Sequence, residues 1–560
     1  MTIRAKYLHA IALILFVCGC VVSVIQGPSH VIDVEFYPAF TEGVRGGWLC
    51  LFSMDRLMSN DLSLPYAGWP VLQPLLVGIL GKVGFAYSIA VVTINAIAML
   101  CCALLARNTF SHYVSEKFLF YITWFVLFSG ASWVSINVAF AHGFIPLGFA
   151  LGFWNLEKTM RAPNKFSGGI SVAVGFIVGS CNWACFFIVP AAIICLILMR
   201  FLLSKWLWSP KQAISWIVSF TVGLVLSFIV YYLFHKYAEM QISAISAPMS
   251  GSGRIAARSI PTLHSFIAAS FYSLVRLSVC CTPLIPFLIY SYMRADFKGV
   301  TTVTEDKKCR FLFIVCSAIL APLLFIVVFS GEMAPAAHIF HSRLFIWSCA
   351  SLLAYLIPYL SLNTYFRFLP AACILFFIYS IVGWRIIPSS IVTKKSIQFS
   401  EVGPRLPGQI NEEVEESKNM NDVLRTIILN STQWPISNEK RQKFDPIAAN
   451  DLKNREISAS ISNIVPQDGV IIVWQKNSAW IPYRLGRDII CGGDEKYTYE
   501  CIQRILSRVD ADRIYVLVPE LVEKNELSKY INIERFKFHL FARNAQEGWC
   551  LYQLILKDNL

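Results

Sequence analysis

Charge is what this sequence most lacks. Only 15% of its 560 residues are Asp, Glu, Lys or Arg, against roughly a quarter in an ordinary soluble chain. Hydrophobic residues make up 56%, and the mean hydropathy is +0.56. That balance excludes a soluble enzyme, a disordered scaffold and a secreted disulfide-rich protein. Metal-ligand spacings are missing too: none of the 17 cysteines falls in a CxxC pair, and no His-x-x-x-His occurs, so zinc is not indicated. Most cysteines (Cys18, Cys101, Cys102, Cys195, Cys280, Cys281) sit in apolar runs, where the thiol acts as a small buried hydrophobe. Cys491 and Cys501 could pair if their part of the chain faces an oxidising compartment. What remains is the composition of a polytopic membrane protein with a soluble appendage.

The net charge of +13 is unevenly placed. Residues 1–388 hold 25 Lys/Arg and 12 Asp/Glu, whereas residues 389–560 hold 23 of each. The whole excess therefore falls in the apolar part, where basic cytoplasmic loops are expected. No basic stripe is left in the polar part, so nucleic-acid binding is not expected.

Apolar runs of near-spanning length predict eleven transmembrane helices, at about 7–26, 84–106, 117–134, 142–156, 167–181, 183–200, 212–234, 267–291, 310–330, 344–362 and 368–387. Arg4 and Lys6 precede the first run. Val17-Cys18-Gly19-Cys20 matches a lipoprotein cleavage box poorly, so a retained signal-anchor is expected. With the N-terminus in the cytoplasm, inner segments carry sixteen Lys/Arg and short outer loops six, which favours that orientation. An odd number of spans then puts the C-terminal part outside. The apolar stretch from Val71 to Ala106 is too long for one span, and Pro70, Pro74, Gly81 and Lys82 interrupt it. A short surface helix over about 70–81 is predicted there.

Three regions result: a transmembrane domain over 1–388 with a first outer loop at 27–66, a linker over 389–422, and an outer α/β domain over 423–560. The linker is polar, rich in Glu, Asn and Pro. In the outer domain, residues 470–474, 514–518 and 549–556 read as strands, and Tyr497 to Val509 as an amphipathic helix. This domain contains no glycine fingerprint or phosphate loop, so no nucleotide site is expected there.

Acidic residues are scarce in the first 388 positions, and five of the twelve lie in the first outer loop: Asp33, Glu35, Glu42, Asp55 and Asp61. A carboxylate against apolar walls at the end of a span can take the proton of an alcohol. The plainer reading is a solvated loop whose acids keep it outside. Other polar groups share that face: Lys82 where the surface helix meets the second span, Asn137 and His142 around the next outer turn, and Asn182-Trp183 at the one after it. The loop before the tenth span contains His338, His341 and Arg343. A guanidinium there offers a forked donor set to a phosphate, or else snorkels at the membrane boundary. Arg276 falls inside the eighth predicted span, where an ionisable group faces a cavity or a partner. Arg254 and Arg258 lie in a Ser/Gly-rich outer loop, with Ser250 to Gly253, that reads either as a lid or as a plain connector.

One span leads into an outer loop bearing Asp33-Val34-Glu35-Phe36-Tyr37. The proline-bounded segment Tyr66 to Leu76 follows, then closely spaced spans, a His/Arg loop before a late span, and an outer α/β domain. This order resembles the GT-C superfamily of integral membrane glycosyltransferases, in particular its bacterial branch with a C-terminal periplasmic domain. The resemblance implies a polyprenyl-phosphate-linked sugar as donor, no cofactor and no metal, and a glycan or glycolipid acceptor such as lipopolysaccharide or O-antigen. It implies a bacterial inner membrane and leaves room for a flippase as donor-supplying partner. Asp33 best matches the family's catalytic acid, with Glu35 beside it because Val34 separates what is often an adjacent pair. Arg343 matches the family's basic residue opening a late span, implying contact with the lipid phosphate. His341, His338, Lys82 and Arg276 are expected to assist there, while Asp55, Tyr66, Trp69, Asn137 and His142 are expected to line the acceptor or sugar. Rival readings are a lipid or glycan transporter or flippase, and an O-antigen polymerase or ligase. A transporter would favour paired repeats and midplane charges, and no internal repeat is evident.

Overall fold

Helix is the one structure that lets a single segment cross lipid with its own backbone groups satisfied, and it dominates. The computed structural model describes residues 3–26, 72–85, 87–137, 141–162, 167–203, 207–241, 305–329 and 341–360, positions 267 and 271, and parts of 460–557. The first outer loop 27–66, the linker 389–422, the predicted span 368–387 and nearly all of 267–291 lie outside the described residues.

The helices are α1 (Ile3–Gln26), α2 (Leu72–Lys82), α3 (Tyr87–Phe110), α4 (Glu116–Phe128), α5 (Gly130–Asn137), α6 (Ile145–Arg161), α7 (Ser167–Cys181), α8 (Ile188–Leu203), α9 (Pro210–Gln241), α10 (Glu305–Phe329), α11 (His341–Leu344) and α12 (Ile346–Leu360). Among the described residues, four stretches are long and apolar enough to cross a membrane: Ile89–Phe110, Trp183–Leu203, Pro210–Leu233 and Asp306–Val328. Shorter apolar helices cover Ala10–Val21, Phe118–Phe128, Ser167–Cys181 and Ile346–Leu356. Nine predicted spans are described over most of their length, each as helix; the one at 267–291 is described only at 267 and 271, both helical, and the segment predicted as a short helix over about 70–81 forms α2.

Three of those spans are built in two pieces. Ser129 adopts an extended backbone (φ −64°, ψ 146°) between α4 and α5, and the Ser132 hydroxyl donates 2.6 Å to Val126 O across the break. A 3-10 helix, Ala141–Phe144, leads into α6, which carries Pro at its first turn, where the missing N–H costs nothing. Another, Trp183–Phe187, precedes α8 and is capped by Asn182, whose Oδ1 accepts from Ala184 N at 2.9 Å. Between α2 and α3 the chain turns through Gly84 at φ +101°, a backbone that side chains with a Cβ resist.

Packing inside the bundle relies on close approach and on satisfied polar groups. α7 and α9 touch along much of their length. A Cβ at Gly223 would fall on Val172 O, and one at Gly175 on Phe220 O, so only glycine lets these backbones meet. Asn155 of α6 accepts from Trp216 Nε1 (2.8 Å, α9) and from Ser171 Oγ (3.1 Å, α7), and all three helices are fixed by one side-chain oxygen. Phe16 lies 5.5 Å from Trp133 and 6.4 Å from Phe128, seating α1 on α4 and α5. Phe110 stacks on Trp347 at 5.3 Å, joining α3 to α12. The sequence pattern places polar groups at the outer boundary; the structure buries Asn95 and Asn155 within the bundle as well.

Charged groups gather at the end that the Lys/Arg bias assigns to the cytoplasm. Arg107 pairs with Glu116 at 2.9 Å and Arg161 with Glu157 at 3.1 Å, and the Tyr113 hydroxyl donates to Glu157 at 3.4 Å. Burial first, and then the Glu157 carboxylate, push the Tyr113 phenol above its ordinary range.

The C-terminal region carries one five-stranded sheet in the order β2-β1-β3-β5-β4: β1 Val470–Val473, β2 Ile489–Cys491, β3 Ile514–Pro519, β4 Phe536–Asn544 and β5 Trp549–Leu556. β1 runs parallel to β2 and β3, with Ile471 opposite Ile489 and Tyr515. β5 is antiparallel to β3 and β4, and β4 has an irregular register between Leu540 and Ala542. Ile461, Val465, Ile471, Tyr515, Leu517, Trp549 and Leu551 form the core on one face. Three of these strands were predicted; β2 and β4 were not. The predicted helix at Tyr497–Val509 is described only at residues 503, 506 and 507, all helical, and Cys501 lies outside the described residues.

Candidate active site

The end of the bundle opposite the Arg107–Glu157 cluster brings together segments far apart in sequence. α2 buries Gln73 and Val77 and packs on α3, on the 3-10 helix Ala141–Phe144 and on α7. Around Phe144, Ala98 and Cys181, the apolar side chains of Leu72, Leu76, Ile94 and Leu147 close the contact. α2 ends at Lys82. α5 ends at Asn137, and the 3-10 helix that follows contains His142. α11, from His341 to Leu344, abuts α5 and α6. The corner made by α5, the 3-10 helix and the start of α6 is therefore shared by α2 from one side and α11 from the other.

Arg343 is the site residue whose side chain the structure defines best. Its exposure is 0%, and it is among the largest fully buried side chains. A snorkelling anchor would leave the guanidinium in water, so that reading is excluded. α12 follows immediately and is held by Trp347 stacking on Phe110 and by Ser348 Oγ donating to Ala318 O at 2.5 Å. Arg343 thus hangs from a rigid support rather than a free loop.

Of the sequence-predicted site residues, Lys82, Asn137, His142, His341 and Arg343 sit on segments that converge at this corner. Asp33, Glu35, Asp55, Tyr66, Trp69, Arg276 and His338 lie outside the described residues. Among the described residues, no three His, Cys, Asp or Glu side chains come close enough to hold a metal ion. The corner also contains a polar contact that the motifs did not single out. Gln73 Nε2 donates to Asn95 Oδ1, and Asn95 Nδ2 donates to Ile136 O at 3.0 Å. Its signal was present in the sequence as a lone amide inside the apolar run of the second span.

No family model matches the sequence, and no curated protein matches it. Solved structures do. The crystal structure of ArnT from Cupriavidus metallidurans bound to undecaprenyl phosphate is 9% identical, with 97% of this chain and 97% of that chain covered and a TM-score of 0.59. The same protein in its apo state is 11% identical over 98% of each chain, with a TM-score of 0.60. A likeness spanning both chains at so low an identity is one of fold.

Proposed function

We propose, from this shared fold and the buried Arg343, that the chain is a membrane glycosyltransferase that moves a sugar from a polyprenyl-phosphate donor to an acceptor hydroxyl on the outer face of a bacterial inner membrane. The acceptor is a glycan or lipid such as lipopolysaccharide or O-antigen, the N-terminus is cytoplasmic, and the C-terminal domain is periplasmic.

The observation that carries this reading is the guanidinium of Arg343, with no solvent exposure at the head of a late apolar helix. Desolvating a cation is costly, and folding has already met that cost here, so the charge is preorganised for an anion. A phosphate monoester suits the planar fork of arginine. The neighbouring protein in the comparison holds a lipid phosphate of the same chemical class. In the reaction, the acceptor oxygen attacks the anomeric carbon while Asp33, or Glu35 beside it, takes the hydroxyl proton. The bond from the anomeric carbon to the phosphate oxygen breaks, and polyprenyl phosphate leaves as its anion. Arg343 stabilises the charge growing on that oxygen, with Lys82, His338, His341 or Arg276 adding to the field. Asp55, Tyr66, Trp69, Asn137 and His142 line the acceptor and sugar. A lipid-phosphate sugar carries its own leaving group, so neither nucleotide nor metal has a step to perform.

The reading is tested by mass spectrometry of lipids that copurify with the protein, followed by incubation with a lipid-linked sugar and an acceptor. A lipid-phosphate sugar in the preparation, and a glycosylated product alongside free polyprenyl phosphate, would support it. Lipid movement across the bilayer with no new glycosidic bond would replace it with the flippase reading.

A further inference from the structure

The cluster at the other end of the bundle has no part in the reaction proposed above. Arg161 of α6 reaches Glu157, which is 0% exposed, through Nε alone at 3.1 Å. Among the described residues, both terminal nitrogens of its fork are thus left for a second partner. The Tyr113 hydroxyl donates to the same carboxylate oxygen, and the Tyr113 ring stacks on Phe311 at 4.5 Å. That stack draws the start of α10 against the turn between α3 and α4, with Arg310 next to Phe311 and Lys307 one helical turn before it. Arg310 lies near enough for its charge to act on Tyr113 and Glu157, and Lys307 and Arg161 both act on His112. Burial first, and then those two cations, push the His112 imidazole below its ordinary range. Among the described residues, neither Lys307 nor Arg310 has a carboxylate within ion-pair distance.

Membrane topology asks only that Lys and Arg fall in the loops on one side. It does not bring side chains of α6 and α10 to one spot, nor bury a carboxylate to hold one of them. Like charges kept together repel unless an anion joins them. The spot is also at headgroup depth: His112 stands two residues past the apolar stretch Ile89–Phe110, and Lys307 is the second residue of Asp306–Val328. Basic pockets between membrane helices suit lipid phosphates. We propose that Arg161, Lys307 and Arg310 form a binding site for the phosphate of an anionic phospholipid in the leaflet at that end. The two unesterified oxygens of a phosphodiester match the paired nitrogens of the Arg161 fork, and Lys307 and Arg310 offset its charge. A choline headgroup cancels the charge of its own phosphate, so a lipid without a headgroup cation is favoured. The site stands whether or not the chain transfers a sugar.

The experiment uses the full chain in bilayer discs of phosphatidylcholine alone, or of equal parts phosphatidylcholine and phosphatidylglycerol. Lipids retained on release from the mixed discs are identified by native mass spectrometry, and thermal unfolding is followed in both kinds of disc. Wild type is expected to retain phosphatidylglycerol over phosphatidylcholine and to melt higher in the mixed discs. Lys307→Gln and Arg310→Gln should each weaken that preference about fivefold, and together about 25-fold. Arg161→Gln also strips Glu157 of its Nε donor, so where it fails to fold the other two carry the test. Lys211→Gln removes the same charge from α9, on the same side in the predicted topology, and should leave the preference unchanged. Equal retention of the two lipids by wild type would overturn the proposal. So would a loss in Lys211→Gln as large as in Lys307→Gln, because the effect would then be a diffuse surface potential. Inorganic phosphate that stabilises the protein in phosphatidylcholine discs as much as phosphatidylglycerol does would assign the cluster to a soluble anion, and overturn it as a lipid site.

Discussion

Arg343→Met separates a structural cation from a ligand-binding one, because the two roles predict opposite outcomes. The side chain is fully buried, on a helix packed between α5 and α6. Methionine keeps most of the length and removes the charge. Removing a buried charge that serves a partner inside the bundle costs about 3–5 kcal/mol, whereas a cation held for an incoming anion gives way to an apolar group of its size at far smaller cost. A ligand-binding Arg343 therefore predicts a melting temperature close to that of wild type, and a structural one a marked fall. In the reaction, the lost group stabilised charge on the departing phosphate, an interaction of about 2–4 kcal/mol in the transition state. At 1.36 kcal/mol per decade, that is roughly a 30- to 800-fold fall in kcat/KM. Arg343→Lys keeps the charge without the fork and should fall between the two. The assay is transfer from a polyprenyl-phosphate sugar in bilayer discs, with thermal unfolding followed on the same preparations. A stable Met variant with wild-type turnover would refute the phosphate role. A variant that unfolds, yet turns over normally per folded molecule, would make Arg343 a purely structural residue.

Other expectations follow from the packing. Gly223→Leu must push Val172 O and Phe176 apart; overpacking of this kind costs about 1–3 kcal/mol or more and should lower the melting temperature, with no change there meaning that α7 and α9 are not so close. Asn155→Leu leaves Trp216 Nε1 and Ser171 Oγ without the acceptor they share, at about 1–3 kcal/mol for a group stranded in the core. That loss should appear in thermal unfolding, while kcat per folded molecule stays at the wild-type value; an unshifted midpoint would remove Asn155 as a link between α6, α7 and α9.

The membrane helices were readable because lipid imposes one solution on an apolar run, and α7 matches its predicted span at both ends (Ser167–Cys181). Where predicted spans are made of two pieces, hydropathy carries no sign of it: the Ser132 hydroxyl bond across the break at Ser129 and the Asn182 cap of the second 3-10 helix are contacts that it does not register. The corner shared by α2, α5, α6 and α11 was partly readable. Lys82, Asn137, His142, His341 and Arg343 were marked by being polar next to apolar runs, and their segments do converge. Gln73 and Asn95 escaped because each is a single amide within an apolar stretch, of α2 and of α3, whose apolar character it barely lowers. Strand β4 escaped for a different reason. Lys537, His539 and Arg543 interrupt it, and at the irregularity between Leu540 and Ala542 both Leu540 and Phe541 are exposed, so it lacks the alternation that marks a half-buried strand. β2, three residues long, is too short to carry a pattern at all.

The central claim is glycosyl transfer with an outer-loop carboxylate as base, and it is met most directly by single-turnover transfer from a lipid-phosphate sugar in Asp33→Asn, Glu35→Gln and the double variant. The account predicts that Asp33→Asn abolishes product while the protein remains folded and abundant, and that the double variant is equally silent. Full product formation by all three would contradict it.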